Sequence, residues 1–232
     1  MKKYIILIFI VSIFTACRHT TGSGNIISEK RNVGSFTGVN VAGGFTVEIK
    51  NGPAGEVTLE ADDNIIKSIE TEVKNGQLKI RLDVDNLSDA HLRVFITAPL
   101  INKIHAAAGS DITVQGGLRE SNEIELKASS GSKIKTAVDA PSVSADASSA
   151  GDIEVSGRTK KFSAESSSGA GIKAAGLLSE ITDASASSGA SAHVHASVTL
   201  TANASSGGNI YYSGGANAKI NESSGGNVNK EN

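Results

Sequence analysis

The 232-residue chain holds 22 basic and 24 acidic residues, a single cysteine and no tryptophan, and only 4% of it is aromatic. A near-neutral balance without basic runs excludes a nucleic-acid partner and a polybasic arm for anionic lipid. One cysteine excludes an internal disulfide, and so few rings leave short aliphatic side chains to fill any core.

In chain order, the first element is a leader. In MKKYIILIFIVSIFTAC, Lys2 and Lys3 supply the charged start, and Tyr4 to Phe14 form an apolar run too short to span a bilayer. Thr15-Ala16-Cys17 resembles a bacterial lipobox, with Phe14 where leucine is commoner. On this reading residues 1–16 are a signal peptide. Cys17 is then the lipidated first residue of the mature chain and meets the membrane through its acyl chains. Loss of Lys2 and Lys3 leaves 20 basic against 24 acidic residues. Residues 17–24 read as a short lipid-anchored tether, and 25–232 as one domain with no internal linker.

The first half of that domain is the less regular one. Val39 to Val47 parallels Ile104 to Val114, which starts a coil near residue 37. Val57/Leu59, Leu78/Ile80/Leu82 and Leu92/Val94/Ile96 alternate with polar residues at period two, as half-buried strands require. Asn51-Gly52 and Asn75-Gly76 are turn signals. Asp63 to Val73, with Ile65, Ile66, Ile69 and Val73, fits a short capped helix better than a strand. Wider turns with longer strands are the expectation here.

From Ala108 onward the chain repeats. Seven copies of a Ser/Ala-Gly corner close on Ile112, Ile134, Ile153, Ile172, Ala192, Ile210 and Val228. Steps of about 18 to 22 residues indicate a solenoid, whose turns bury their apolar side only against neighbours. Apolar residues before each corner keep period two, as in Leu126/Ala128, Ala145/Ala147, Phe162/Ala164 and Ala202/Ala204, which argues against a disordered low-complexity segment. The residue before each closing aliphatic is Asp111, Lys133, Asp152, Gly171, Ser191, Asn209 or Asn227. Most of these types tolerate positive φ, so the bend is expected there, with Lys133 the exception. The paired serines are expected to bond backbone groups of the bend or serines of adjacent turns. The fold class is thus all-β: a single-stranded, right-handed parallel β-helix of about ten turns.

The stretch Gly22 to Ile49 (GSGNIISEKRNVGSFTGVNVAGGFTVEI), with Ala61-Asp-Asp-Asn-Ile65 and Asn75-Gly-Gln-Leu78, resembles the head-GIN-domain auto-transporter adhesin family of Bacteroidetes lipoproteins. The likeness covers almost the whole mature chain. It implies a right-handed parallel β-helix, an adhesin role and the bacterial outer membrane, and it carries no catalytic residues. Either membrane face fits, since Arg18-His-Thr-Thr-Gly lacks an acidic export-like cluster.

Candidate chemistry is sparse. Lys127, Asp146, Glu165, Ser185 and Asn203 are expected in one outward column. That puts the Asp146 and Glu165 carboxylates near the separation of about 5–5.5 Å used in retaining glycoside hydrolysis, though the sequence supplies no sugar-shaped cleft. His193 and His195 share a strand face and would need His105 or an acid to complete a metal site. The Gly-Gly-Asn corners lack the aspartate of calcium-binding nonapeptides. Walker, G-x-S-x-G and H-E-x-x-H motifs are absent. The Tyr211-Tyr212 pair is a candidate stacking surface with one ring turned inward. The reading is a non-enzymatic, lipid-anchored binding scaffold without cofactor or metal, taking a glycan or protein ligand. A carbohydrate-active enzyme and an end-to-end polymer are the other classes, the polar Asn229-Lys-Glu-Asn tail arguing against the last.

Overall fold

The computed structural model describes residues 19–231 except 54 and 85. The signal peptide and Cys17 lie outside these residues.

Period-two alternation becomes strand nearly everywhere. The first strands are β1 (His19–Thr21), β2 (Ile26–Asn32), β3 (Gly38–Ala42), β4 (Thr46–Asn51), β5 (Glu56–Asp62), β6 (Ile69–Lys74), β7 (Gln77–Leu82), β8 (Asn86–Ser88), β9 (Leu92–Ala98), β10 (Lys103–Ala107) and β11 (Asp111–Gln115). The coil β3–β4 lies between β7–β9 on one side and β10–β11 on the other, every one of these pairings parallel. Beyond β11 the coils stack in chain order, through the strands Lys133–Ala147 and Asp152–Ser166 to Asn227–Lys230.

The result is an all-β solenoid of about seven turns rather than ten. The shortfall has a physical cause: β2, β5 and β6 run antiparallel to their neighbours and close one end as a cap instead of winding further coils. The wider turns expected in this half are therefore hairpin-like additions. Asn75-Gly76 does turn β6 into β7, both residues having positive φ. Asn51-Gly52 instead leads from β4 to β5, which do not pair. The expected helix over 63–73 is one 3-10 turn, Ile66–Ser68, followed by β6; Ile65, Ile66 and Ile69 are buried either way.

The interior is a set of apolar ladders. Val94, Val47, Ile112, Ile134, Ile153, Ile172, Ala192, Ile210 and Val228 are successive register partners, and all but Val228 are buried. Each fully buried aliphatic contributes about 1.5–3 kcal/mol. Parallel strands buried at this spacing need a sharp bend once per coil.

That bend is a four-residue turn whose two central residues are both left-handed, as in Ser130-Gly131 (φ 53° and 69°) and Ser206-Gly207 (49° and 73°). Positive φ thus falls on the second serine and the next residue; Asp111, Lys133, Asp152, Asn209 and Asn227 begin strands. The asparagine and aspartate of the corners do not take the bend, because the strand ladder already fixes their backbones. A left-handed L-residue costs about 1–2 kcal/mol. Hydrogen bonds between stacked corners oppose that cost: Gly109 N–H donates to Ser130 C=O at 3.0 Å, Gly131 to Ser149 at 3.0 Å, Gly169 to Ser188 at 3.1 Å, and Gly207 to Ser224 at 3.2 Å. Backbone amides make the corner ladder, while the second serines point to solvent. A second constraint acts one residue later. A Cβ on Gly151, Gly208 or Gly226 would stand 2.4 Å or less from the backbone of the adjacent coil.

Candidate binding groove

Each coil bends again between its Ser-Gly corners, where the strand ladders skip Pro141, Lys160 and Glu180 and open at 174–176, 196–198 and 214–216. The second bends differ in length, and a trough results. Three depressions run together: one of about 230 Å³ beside Phe36, Pro99 and Leu100, one of about 600 Å³ beside Leu100, Arg119 and Glu120, and one of about 730 Å³ reaching His195 and Ser197. Leu100 joins the first to the second, and Glu120 and Asp139 join the second to the third.

Exposed apolar steps punctuate the trough. Leu178 is 59% exposed, beside Leu177, which fills the core; Pro141 and Leu100 are also exposed. Between them stand Glu120, Asp139, Arg158, Lys160 and Glu180. Arg158 forks onto Asp139, Nε to Oδ1 at 3.0 Å and Nη2 to Oδ2 at 2.7 Å, and its guanidinium holds the Asp139 carboxyl below the ordinary range. Leu178 follows Arg158 in the same cross-strand column. At the far end Ser179, in the lining, is backed by the buried Thr182: Thr182 Oγ1 donates to the His195 carbonyl at 2.8 Å, and Ser179 Oγ donates to the same oxygen.

Of the residues picked from sequence, His195 lines the trough and the others sit elsewhere. Lys127, Asp146, Glu165, Ser185 and Asn203 do form one register column on an outer face just before the corners, as predicted, and all are exposed. Lys127 heads it, pinned by Glu125 at 2.7 Å. Asp146 borders a depression of about 320 Å³ with His105 and Lys127, and Glu165 is not among its walls. The three histidines do not converge. His105 sits 3.2 Å from Glu125 on that face, His193 stacks on Tyr211 at 4.5 Å between ring centres, and His195 lines the groove. Among the described residues no group of three His, Cys, Asp or Glu side chains is arranged to hold a metal. Tyr212 is buried and Tyr211 half-buried, so one ring of the pair does face inward.

Glu125 sits at the centre of a charged cluster. Lys127, Lys103 (3.1 Å) and His105 surround it, and its hydrogen bond from Lys127 leads in pulling its pKa from 4.5 to about 2. The cluster locks two coils together and uses up its own charges, which marks it as structural.

Sequence reasoning missed Leu100, Pro141, Arg158 and Leu178. One signal was present: Leu178 follows Leu177 directly, so one of them had to leave the core.

Fold and trough define a capped parallel β-solenoid with a binding-type groove along one edge. The chain belongs to the family described as "Putative auto-transporter adhesin, head GIN domain", which matches residues 35–216. Among solved structures it is similar to an adhesin-named protein of Bacteroides fragilis, with a TM-score of 0.81 and 18% identity over 91% of this chain and 99% of that one. It is also similar to a protein of Parabacteroides distasonis named as lipid binding, with a TM-score of 0.74 and 16% identity over 93% and 100%. An adhesin-named protein of the same species gives a TM-score of 0.66 at 20% identity over 92% and 100%. At these identities the likeness establishes the fold. Comparison with curated proteins finds no match.

Proposed function

We propose that this protein is a lipid-anchored binding scaffold of the bacterial outer membrane, held by Cys17, which takes an extended glycan or protein ligand along the second-bend groove. The observation that carries this reading is the continuity of the three depressions from Leu100 to Ser197. Successive coils lie about 4.8 Å apart, so a linear ligand laid along the axis meets a new bend at each step. The lipid-binding name of one structural neighbour raises an acyl chain as the alternative occupant. Charged residues at nearly every bend favour a ligand with polar groups at each repeat over a bare hydrocarbon.

The test uses the mature chain with Cys17→Ser, applied to a glycan microarray, immobilised extracellular proteins and a fluorescent fatty acid. Binding lost in Leu178→Glu and Arg158→Ala but kept in Asp146→Asn supports the groove. Equal binding by all three variants contradicts it.

A further inference from the structure

We infer that the N-terminal cap is itself a bilayer-facing surface, with Ile26 and Ile27 seated in the interfacial zone of a zwitterionic membrane. The inference rests on lipidation of Cys17 and adds the orientation of the whole rod.

Residues 19–24, the described part of the segment read from sequence as a tether, are docked. β1 pairs in parallel with β8, His19 with Asn86 through Thr21 with Ser88, and Gly22 N–H donates to Ser88 C=O at 3.1 Å. Asp62, buried, accepts N–H bonds from Gly24 at 2.7 Å and His91 at 2.8 Å. Asp63 accepts from Ser23 Oγ at 2.6 Å and Asn25 Nδ2 at 2.8 Å, while Asn64 Nδ2 donates to Thr21 C=O at 2.9 Å. Cys17 is therefore two residue steps from His19, the first residue of β1, a reach of about 7 Å at most. The polar zone on each side of a bilayer is itself about 5–8 Å deep. An acyl-bearing Cys17 leaves the cap no room to stand clear of the headgroups.

The surface that must make this contact is the one that exposes apolar residues. Ile26 and Ile27 are 50% and 38% exposed at the start of β2, on opposite faces of an edge strand that, among the described residues, pairs with β5 alone. Ile26 is register partner of Asp62, and the 62–64 loop also holds Thr21 and Gly24. The isoleucines and the chain exit thus border one loop. In water, adjacent isoleucines on an open edge invite association with another chain; a bilayer interface covers them. Asp63 and Asp89 on the same side make an anionic membrane the poorer partner.

The chain has no tryptophan, so one introduced ring reports without background. Acylated Ile26→Trp and Ile220→Trp proteins are placed in phosphatidylcholine–phosphatidylethanolamine vesicles containing doxyl-labelled lipid, with flotation measured in parallel. The expected result is a blue shift and loss of most emission for the ring at 26, and neither for the ring at 220 on the far coil. A flexible insert of about ten residues between Arg18 and His19 should restore the emission at 26 while flotation persists. Flotation without quenching at 26 overturns the inference and leaves the anchor standing. Failure of the Cys17-bearing protein to float, or flotation unchanged in Cys17→Ser, overturns both.

Discussion

Ile153 stands in the middle of the closing column, 0% exposed, with Ile134 and Ile172 as its register partners above and below. Truncation to alanine deletes three carbons. The transfer loss is about 2.4 kcal/mol at about 0.8 per methylene, and an unrelaxed cavity brings the total to about 2–5 kcal/mol. Against a domain stability of about 5–15 kcal/mol this is a large fraction, because partners on both sides are themselves fixed in strands and cannot close the gap. Ile220, 42% exposed in the last coil, supplies the internal control. Urea unfolding followed by circular dichroism should show a marked fall in midpoint for Ile153→Ala and a far smaller one for Ile220→Ala. Ile153→Asp should give no soluble folded protein, since the carboxylate would be buried without a partner. Equal midpoints for the two alanine variants, or an unchanged midpoint for Ile153→Ala, would refute the ladder.

The corner makes a second, opposite-looking pair. Gly131→Ala meets open space at a left-handed φ and should cost about 1 kcal/mol, because Ala108 and Ala150 already adopt that conformation in sister corners. Gly151→Ala has no such φ but drives its Cβ to 2.4 Å from Ala128 C=O, so its thermal midpoint should fall further than that of Gly131→Ala. For Glu125 the folded pKa lies below the unfolded one, so its stabilising share is complete above about pH 4.5 and drains as pH falls toward about 2. The stability gap between wild type and Glu125→Gln should shrink as pH falls from about 4.5 toward about 2; a gap that widens over that range would reverse the assignment.

The repeat was the legible part of this molecule. Corner spacing and period-two alternation placed Ile112 to Ile210 on one inner column, because a solenoid pairs residues one period apart and the period is visible in the letters. The order of the first coils was not legible. β3–β4 packs between β7–β9 and β10–β11, and alternating Val, Ile and Leu satisfy parallel and antiparallel neighbours alike. That same ambiguity turned expected coils into the antiparallel cap and the expected helix at 63–73 into a 3-10 turn plus strand. Composition also misplaced the left-handed residues, since asparagine and aspartate tolerate positive φ without requiring it. The groove was hidden for a different reason: its depth comes from unequal second bends in successive coils, which no single repeat displays. The outward column through Asp146 and Glu165 was read correctly, and its residues are not among those lining the groove.

The most direct test is a ruler along the corner edge. With Cys17→Ser removing the native thiol, spin-label pairs at Ala108 with Ser188, Ser206 and Ser224 span four, five and six coil steps. At about 4.8 Å per step, stacked corners give dipolar distances near about 19, 24 and 29 Å, narrow and evenly spaced. Broad distributions, or distances that fail to lengthen with each added coil, would contradict the solenoid and the edge groove that depends on it.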